Sequence, residues 1–230
     1  SIVSRDDVSI VVEVIGGLEP ARNLIVLALR SGKHVVTANK ALLAKHGAEL
    51  FALAAEMGVL LMYEAAVAGG IPVIRALRES LTGDRVQSVH GIINGTSNYV
   101  LTQMCQHSKG FDETVKDAQD LGYAEADPAA DVDGDDAAQK LQLLMYLAFG
   151  LGLEHSIQEQ QSLRPLKPLD FYHANAFGYE IKPLAVARRT EKGVVAWVGP
   201  ALVPKTHVLA NINGVFNACF FHSDGLGPLL

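Results

Sequence analysis

The first third of the chain alternates between short apolar runs and helical segments, and this alternation constrains the fold more than any other feature. Residues 8–15, 34–38 and 59–64 are short and rich in β-branched side chains, which is typical of buried strands. Between them, residues 21–30 and about 41–57 show helical periodicity and end near a glycine. The order strand, helix, strand, helix, strand predicts a parallel sheet with right-handed crossovers.

Ligands of such sheets bind beyond the carboxyl ends of the strands, where Gly16-Gly17, Asn39-Lys40 and residues 64–70 would lie. We therefore expect Lys40 at the functional edge, although a lysine at a helix start can equally be a solvated surface residue. The Gly-x-Gly-x-x-Gly turn that normally opens a dinucleotide-binding sheet is absent from the sequence. Residues 1–70 are therefore predicted to form a partial Rossmann-like domain that begins after the first half of the fold.

The run Gly69-Gly70-Ile71-Pro72 breaks this pattern, and we place a domain boundary there. Residues 71–230 mix helical and strand patterns, so this part is predicted to be an α+β substrate-binding and dimerisation domain, in a chain of the α/β class. One helix is expected to begin near Tyr99, with Ser97 or Asn98 as its cap. The other expected helices cover residues 73–81 and 111–122, and the expected strands cover residues 85–93, 182–189, 193–202, 206–212 and 215–221.

The stretch Gly122–Lys140 holds six carboxylates and one lysine, and it leads directly into the apolar helical pattern of Leu141–Phe149. Asp136 and Lys140 are four residues apart and therefore lie on one helix face. That side of the helix also carries apolar residues, so we expect the pair to point toward packed surface. Two interpretations remain open: an ordinary surface ion pair, or a desolvated lysine that exchanges protons near neutrality.

The composition narrows the classes of partner. The 230 residues are 49% hydrophobic with a formal net charge of −6, and the absence of a basic patch argues against nucleic acid. No apolar stretch approaches the roughly 18 residues of a membrane span. The two cysteines, Cys105 and Cys219, lie far apart without metal or redox spacing, which favours a reducing cytoplasm. We therefore expect a soluble cytoplasmic protein with a small-molecule ligand.

Five segments together resemble one known family, homoserine dehydrogenase, in the family's own order. The resemblance spans nearly the whole chain, although the family's N-terminal glycine-rich turn and its C-terminal end have no counterpart here. The segments are Val36–Lys40, Tyr63–Pro72, Gly91–Tyr99, Gly122–Lys140 and Ala210–Ala218.

The resemblance implies interconversion of L-homoserine and L-aspartate 4-semialdehyde with NAD or NADP, in threonine, methionine and isoleucine biosynthesis. By motif, Lys140 matches the catalytic lysine and Lys40 the second family lysine, near the nicotinamide and the substrate. The residues assigned to the substrate are Glu125, Asp131, Asp136 and Thr96, and those assigned to the cofactor are Lys40, Gly122 and Gly16.

The resemblance also implies a monovalent cation, usually sodium, held mainly by backbone carbonyl groups. The matching positions are Glu64, Val67, Gly69 and Ile71. A homodimer or a dimer of dimers, formed by the sheet of the second domain, is expected on the same ground.

Two alternatives stay open. Without the phosphate-binding turn, the chain could act as a non-catalytic, dimeric substrate-binding fragment. A different amino-acid or semialdehyde dehydrogenase would keep the two-domain architecture. The acylating type needs a nucleophilic cysteine, and neither Cys105 nor Cys219 follows a strand-to-helix turn beside a candidate histidine.

Overall fold

The computed structural model describes residues 2–230, and the chain divides into two compact units. One unit comprises Ser1–Thr82 and Gln142–His155, and the other comprises Gly83–Leu141 and Ser156–Leu230. Each unit has its own sheet. Among the described residues, no helix has both the length and the apolar character that a membrane crossing requires.

The first unit contains the predicted parallel sheet. Its three strands are neighbours in chain order and both pairings are parallel, which confirms the parallel sheet expected from the sequence. The first helix forms because Ala21, Ile25, Ala28 and Leu29 recur at helical spacing and are all buried. The elements are β1 (Ile10–Glu13), α1 (Ala21–Arg30), β2 (His34–Thr37), α2 (Lys40–Glu56) and β3 (Leu61–Met62), after a 3₁₀ turn at Ile2–Ser4.

The chain leaves this sheet earlier than predicted. The third strand covers only Leu61–Met62, and a 3₁₀ turn follows at Glu64–Ala66. The cause is the carboxylate of Glu64, which accepts from the backbone N–H groups of Ile74 and Arg75 at 2.8 and 2.9 Å and so draws the chain back. The helix expected over residues 73–81 is α3 (Val73–Arg75), continued by a π-helical turn at Ala76–Ser80.

The second unit is built on a six-stranded sheet. The elements of the remaining chain are β4 (Val86–Ile92), α4 (Gly95–His107), α5 (Phe111–Asp120), α6 (Ala129–Val132), α7 (Asp135–Phe149), β5 (Glu159–Gln160), α8 (Pro168–Ala176), β6 (Tyr179–Thr190), β7 (Gly193–Pro204), β8 (Ala218–Ser223) and β9 (Gly227–Leu229). The strand order is β5-β7-β6-β4-β8-β9, in which only β5 and β7 pair in parallel and the other neighbours are antiparallel, as expected for an α+β arrangement. Helix α7 contributes residues to both units, which divide after Leu141.

Two local predictions in this unit are wrong. Helix α4 begins at Gly95 and its cap is Asn94, whose side chain accepts from the N–H of Ser97, so neither Ser97 nor Asn98 is the cap. The strand expected over residues 206–212 is a 3₁₀ turn at Val208–Asn211. Helix α8 was not anticipated, because Pro165 and Pro168 indicate breaks in the sequence pattern, whereas Pro168 occupies the first helical position, where proline is favoured.

One hydrophobic cluster positions the acidic stretch against α4. Val132 of α6 is fully buried together with Val100 and Leu101 of α4. The backbone O of Val132 also accepts from the N–H of Leu163 at 2.9 Å. Because Val132 is anchored on both sides, its neighbour Asp131 is held beside the N-terminal end of α4.

Candidate active site

The carboxyl ends of β1 and β2 border an open cavity in the first unit. Its volume is about 320 Å³, and it is lined by Val14, Gly16, Gly17 and residues 38–41. Gly16 and Gly17 have φ angles of 77° and 71°, a left-handed conformation that favours glycine. Lys40, the first residue of α2, belongs to the same lining. The structure thus brings the predicted residues Gly16 and Lys40 to one cavity.

A buried glutamate that the sequence analysis missed organises this edge. Glu13 is 3% exposed, and its Oε2 accepts from the hydroxyl of Thr37 at 2.7 Å across the sheet. Its Oε1 accepts from the backbone N–H groups of Ile15 and Gly16 at 2.9 and 3.1 Å. This carboxylate therefore fixes the loop that contains Gly16. The sequence signal that could have revealed Glu13 is a single charge inside an otherwise apolar strand pattern.

Asn39 connects the glycine turn to α2. Its Oδ1 accepts from the N–H of Leu42 at 3.1 Å, and its Nδ2 donates to the carbonyl oxygen of Gly17 at 2.7 Å. One side chain therefore fixes both the glycine turn and the start of the helix that carries Lys40.

The four residues expected to hold a cation lie in one short bend of the chain, residues 64–71, which consists of two successive turns. Val67 N–H donates to Glu64 O at 3.3 Å, and Ile71 N–H donates to Ala68 O at 3.2 Å. Ala68 and Gly69 both adopt left-handed φ angles, 57° and 61°, and such strain at Ala68 persists only where the surroundings enforce it. Within residues 2–230, no three His, Cys, Asp or Glu side chains converge as a metal site. A cation in this bend would therefore depend on backbone carbonyl oxygens.

Asp136 and Lys140 form a buried ion pair on α7. Lys140 Nζ lies 2.6 Å from Asp136 Oδ2, and the two side chains are only 16% and 9% exposed. The same Nζ donates to the carbonyl oxygen of Ile93 at 2.8 Å. The expected orientation toward packed surface is therefore found, and the alternative of a surface ion pair is wrong. A directed, largely desolvated amine of this kind is suited to proton transfer.

Asn94 joins this pair to a second carboxylate. Its Nδ2 donates to Asp136 Oδ2 at 2.8 Å and to Asp131 Oδ1 at 2.7 Å. Asp131 is also anchored through its backbone O, which accepts from the hydroxyl of Ser97 at 2.8 Å. The predicted residues Asp131, Asp136 and Lys140 therefore form one hydrogen-bonded cluster, and Asn94 is the member that sequence analysis did not assign.

The remaining predicted residues of this unit lie on a neighbouring loop. Thr96 Oγ1 donates to the carbonyl oxygen of Tyr123 at 2.6 Å. Gly122 has a φ of 77° and its N–H donates to Gln119 O at 3.0 Å. The side chain of Gln119 in turn donates to the backbone O of Glu125 at 3.1 Å, while Glu125 itself is exposed. The loop with Gly122 and Glu125 thus meets the N-terminal turn of α4 at Thr96, two residues beyond Asn94.

The segment after the 3₁₀ turn packs closely on the same helix end. Asn98, which is fully buried, donates through Nδ2 to the carbonyl oxygens of Ile212 and Phe216 at 3.2 and 3.1 Å. A Cβ added to Gly95 would lie 2.8 Å from the carbonyl oxygen of Val215. A glycine is therefore required at the first position of α4 by close backbone approach.

Neither cysteine has the properties of a nucleophile. Burial raises the pKa of Cys219 to about 12. Burial and a hydrogen bond to Glu180 raise the pKa of Cys105 to about 11. Since the thiolate is the reactive form, thioester chemistry at these residues is disfavoured, as the sequence indicated.

The parallel sheet with a cavity at its carboxyl edge, together with a separate sheet unit carrying a lysine–carboxylate cluster, defines a two-unit Rossmann-like α/β protein. The family model for homoserine dehydrogenase matches residues 72–230, and the model for the NAD binding domain of homoserine dehydrogenase matches residues 1–64. The chain therefore belongs to the homoserine dehydrogenase family.

Curated relatives extend across the whole chain. The homoserine dehydrogenase of Pseudomonas aeruginosa is 48% identical over 229 residues, which cover 100% of this chain and 53% of the relative. The homoserine dehydrogenase of Bacillus subtilis is 41% identical over 229 residues, which also cover 100% of this chain and 53% of the relative. The chain thus spans about half the length of the curated relatives it matches. Because these relatives are named as enzymes, the comparison does not favour the non-catalytic alternative.

Solved structures share the fold. A homoserine dehydrogenase from Thiobacillus denitrificans superposes with a TM-score of 0.93 at 49% identity, covering 96% of this chain and 51% of that one. A hyperthermophilic archaeal homoserine dehydrogenase, solved in complex with NADPH, gives a TM-score of 0.81 at 28% identity, covering 96% of this chain and 64% of that one.

Proposed function

We propose that the protein carrying this chain interconverts L-homoserine and L-aspartate 4-semialdehyde with NAD or NADP. The observation that carries the proposal is the buried pair of Lys140 and Asp136, hydrogen-bonded through Asn94 to Asp131. Family membership supports the choice of substrate, because Asp131, Asp136 and Lys140 fall in the segment Gly122–Lys140 that resembles the family, and Asn94 falls in the resembling segment Gly91–Tyr99. The NADPH complex of the archaeal relative supports a nicotinamide cofactor.

The cluster is suited to two tasks in the reaction, which are binding the ammonium group of the substrate and accepting the hydroxyl proton. A carboxylate cluster of Asp131 and Asp136, with Glu125 on the adjoining loop, is suited to bind the ammonium group of the substrate. Thr96 adds a hydroxyl beside that loop. Oxidation of the alcohol releases a hydroxyl proton, and Nζ of Lys140 in its neutral form accepts it while Asp136 and the carbonyl of Ile93 fix the direction of the amine. In the reverse direction the same Nζ returns the proton to the substrate oxygen.

The cavity at the carboxyl ends of β1 and β2 fits part of a nicotinamide dinucleotide. Its glycines leave the backbone of Gly16 and Gly17 accessible, and Lys40 adds a cation to the lining. We assign Gly16, Lys40 and Gly122 to cofactor contact, with Lys40 also serving the substrate. When bound, the cofactor supplies the hydride acceptor.

We also propose a domain boundary near residue 70, with residues 1–70 binding the cofactor and residues 71–230 binding the substrate and forming the dimer. The separate family matches over residues 1–64 and 72–230 support it. A sodium ion is proposed in the bend that holds Glu64, Val67, Gly69 and Ile71, supported by the enforced left-handed backbone there.

A homodimer, or a dimer of dimers, is proposed through the sheet of the second unit. Trp197, Val186, His90 and Phe220 are successive cross-strand partners and so share one face of that sheet. Val195, two residues before Trp197, lies on the same face and is 42% exposed. A partly uncovered apolar face of this kind is typical of a subunit interface. We further propose that the protein is cytoplasmic and acts in threonine, methionine and isoleucine biosynthesis.

Replacing Lys140 with Met tests the assignment in the protein that carries this chain. Loss of a positioned general base lowers turnover by about 10²- to 10⁴-fold, measured as L-homoserine-dependent formation of NADH or NADPH. Lys116→Met is the matched control, because Lys116 also pairs with an acid four residues away but its side chain is 72% exposed. Near-normal turnover of folded Lys140→Met contradicts the proposed role.

A further inference from the structure

We propose that Asn94 is a positioning residue that holds Asp131 and Asp136 together as two anions and thereby orients Lys140. The inference rests on the proposed function, because it assigns a task to a residue of the same site. Asn94 is 5% exposed, so its amide group forms hydrogen bonds with protein atoms and not with bulk water.

The orientation of the Asn94 amide is fixed by its surroundings. Oδ1 accepts from the backbone N–H of Ser97 at 2.8 Å, which only an oxygen can do. Nδ2 must therefore face the two carboxylates, and both of its hydrogens are used, one on Asp131 and one on Asp136. No other arrangement of this side chain satisfies all three partners.

The electrostatic need for such a residue follows from the geometry. Asp131 and Asp136 each place an oxygen within 2.8 Å of one nitrogen, so two like charges are close in a poorly solvated site. Like charges at short range favour protonation of one member, whereas donors aimed at both favour the ionised form. Lys140 compensates only Asp136 directly, at 2.6 Å. The amide of Asn94 is therefore the group that stabilises Asp131 and Asp136 at the same time.

The cluster also links three elements that are distant in sequence. Asn94 caps α4, Asp131 belongs to α6, and Asp136 belongs to α7. The residue before Asn94, Ile93, supplies the carbonyl oxygen that receives Lys140. A shift of Asn94 would therefore disturb both partners of the lysine.

The Asn94→Asp variant separates the two roles of Asn94. Aspartate is as good a helix cap as asparagine, so α4 keeps its cap. Both donors are lost and a third carboxyl group enters the cluster, which then retains a proton to higher pH. We expect kcat/KM for L-homoserine at pH 7 to fall at least about 10-fold, and the acidic limb of its pH profile to move up by about one pH unit.

Ser97→Ala is the matched control, because it removes the hydroxyl bond to the backbone of Asp131 but leaves the amide bridge intact. It is expected to lower thermal stability without moving the pH profile. An unshifted acidic limb in a folded Asn94→Asp variant overturns the inference, because a purely structural role predicts a lower rate at unchanged pH dependence.

A crystal structure of Asn94→Asp distinguishes failure of this inference from failure of the proposed function. If the unaltered protein does not oxidise homoserine, the proposed function fails, and the structure still decides the role of Asn94. We expect Asp131 or Asp136 to turn away and the contact between Lys140 Nζ and Asp136 to lengthen beyond 4 Å. If the three carboxyl groups keep the positions of the unaltered side chains and Lys140 Nζ stays in contact with Asp136, the structure contradicts the role inferred for Asn94.

Discussion

The burial of Asp136 and Lys140 leads to a quantitative prediction for a double-mutant cycle. The single variants are Asp136→Leu and Lys140→Met, and the third variant combines them. Asp136→Leu leaves Lys140 with the carbonyl of Ile93 as its remaining acceptor in the cluster described above. Lys140→Met leaves Asp136 beside Asn94 and close to the charge of Asp131.

The magnitude follows from the exposure of the two side chains. At 16% and 9%, they belong with buried pairs, for which removal of one partner costs about 3–5 kcal/mol. Removing both leaves no uncompensated charge, so the double variant should cost at least about 2 kcal/mol less than the sum of the single variants. Urea unfolding followed by circular dichroism measures the three free energies, provided the m value is unchanged among the variants.

The pair of Lys116 and Asp120 on α5 provides an internal comparison. It has the same four-residue spacing and a distance of 3.0 Å, but its side chains are 72% and 64% exposed. Its coupling energy should be only about 0.2–0.5 kcal/mol. A coupling between Asp136 and Lys140 as small as that of the exposed pair would refute the argument from burial.

Two further predictions concern packing and thiol reactivity. Gly95→Ala should destabilise the protein by about 1–3 kcal/mol in urea unfolding, because the new Cβ would lie 2.8 Å from the carbonyl oxygen of Val215. Gly110→Ala, where a Cβ meets nothing within 4 Å, is the control, and equal effects of the two changes would contradict the steric argument. Cys105 and Cys219 should react with a disulfide reagent at pH 8 far more slowly in the native protein than in urea, since burial raises the pKa of each thiol, to about 11 and about 12. Fast modification of both thiols in the native protein would show that burial does not control their reactivity.

The sequence predicted the fold well where one periodicity dominates. In residues 21–30 the side chains that become buried, Ala21, Ile25, Ala28 and Leu29, recur at helical spacing, and α1 has the predicted bounds. Residues 206–212 were expected to form a strand, yet the side chain of His207 accepts from the N–H of Leu209 at 3.2 Å and closes a turn instead. A local side-chain bond of this kind competes with the strand pattern, and periodicity alone does not reveal it.

The candidate site was predictable to the extent that its residues are neighbours in the chain. Asp136 and Lys140 are one helical turn apart, so their common face follows from the spacing. Asn94 lies 37 residues from Asp131 and 42 from Asp136, and the bridge between them exists only once β4, α6 and α7 are packed. Glu13 likewise acts across the sheet, on Thr37. A local pattern can single out such a residue, as the lone charge in the strand does for Glu13, but its partner depends on tertiary structure.

Transfer of an isotope from the substrate to the cofactor tests the central claim most directly. L-Homoserine that carries deuterium at both C4 positions is incubated with NAD or NADP and the protein that carries this chain, and the reduced cofactor is analysed by mass spectrometry. The account predicts one deuterium in each reduced cofactor molecule and an aldehyde product that keeps the other, because the C4 hydride moves while the hydroxyl proton passes to Lys140. A reduced cofactor without deuterium, or no reduced cofactor at all, would contradict it.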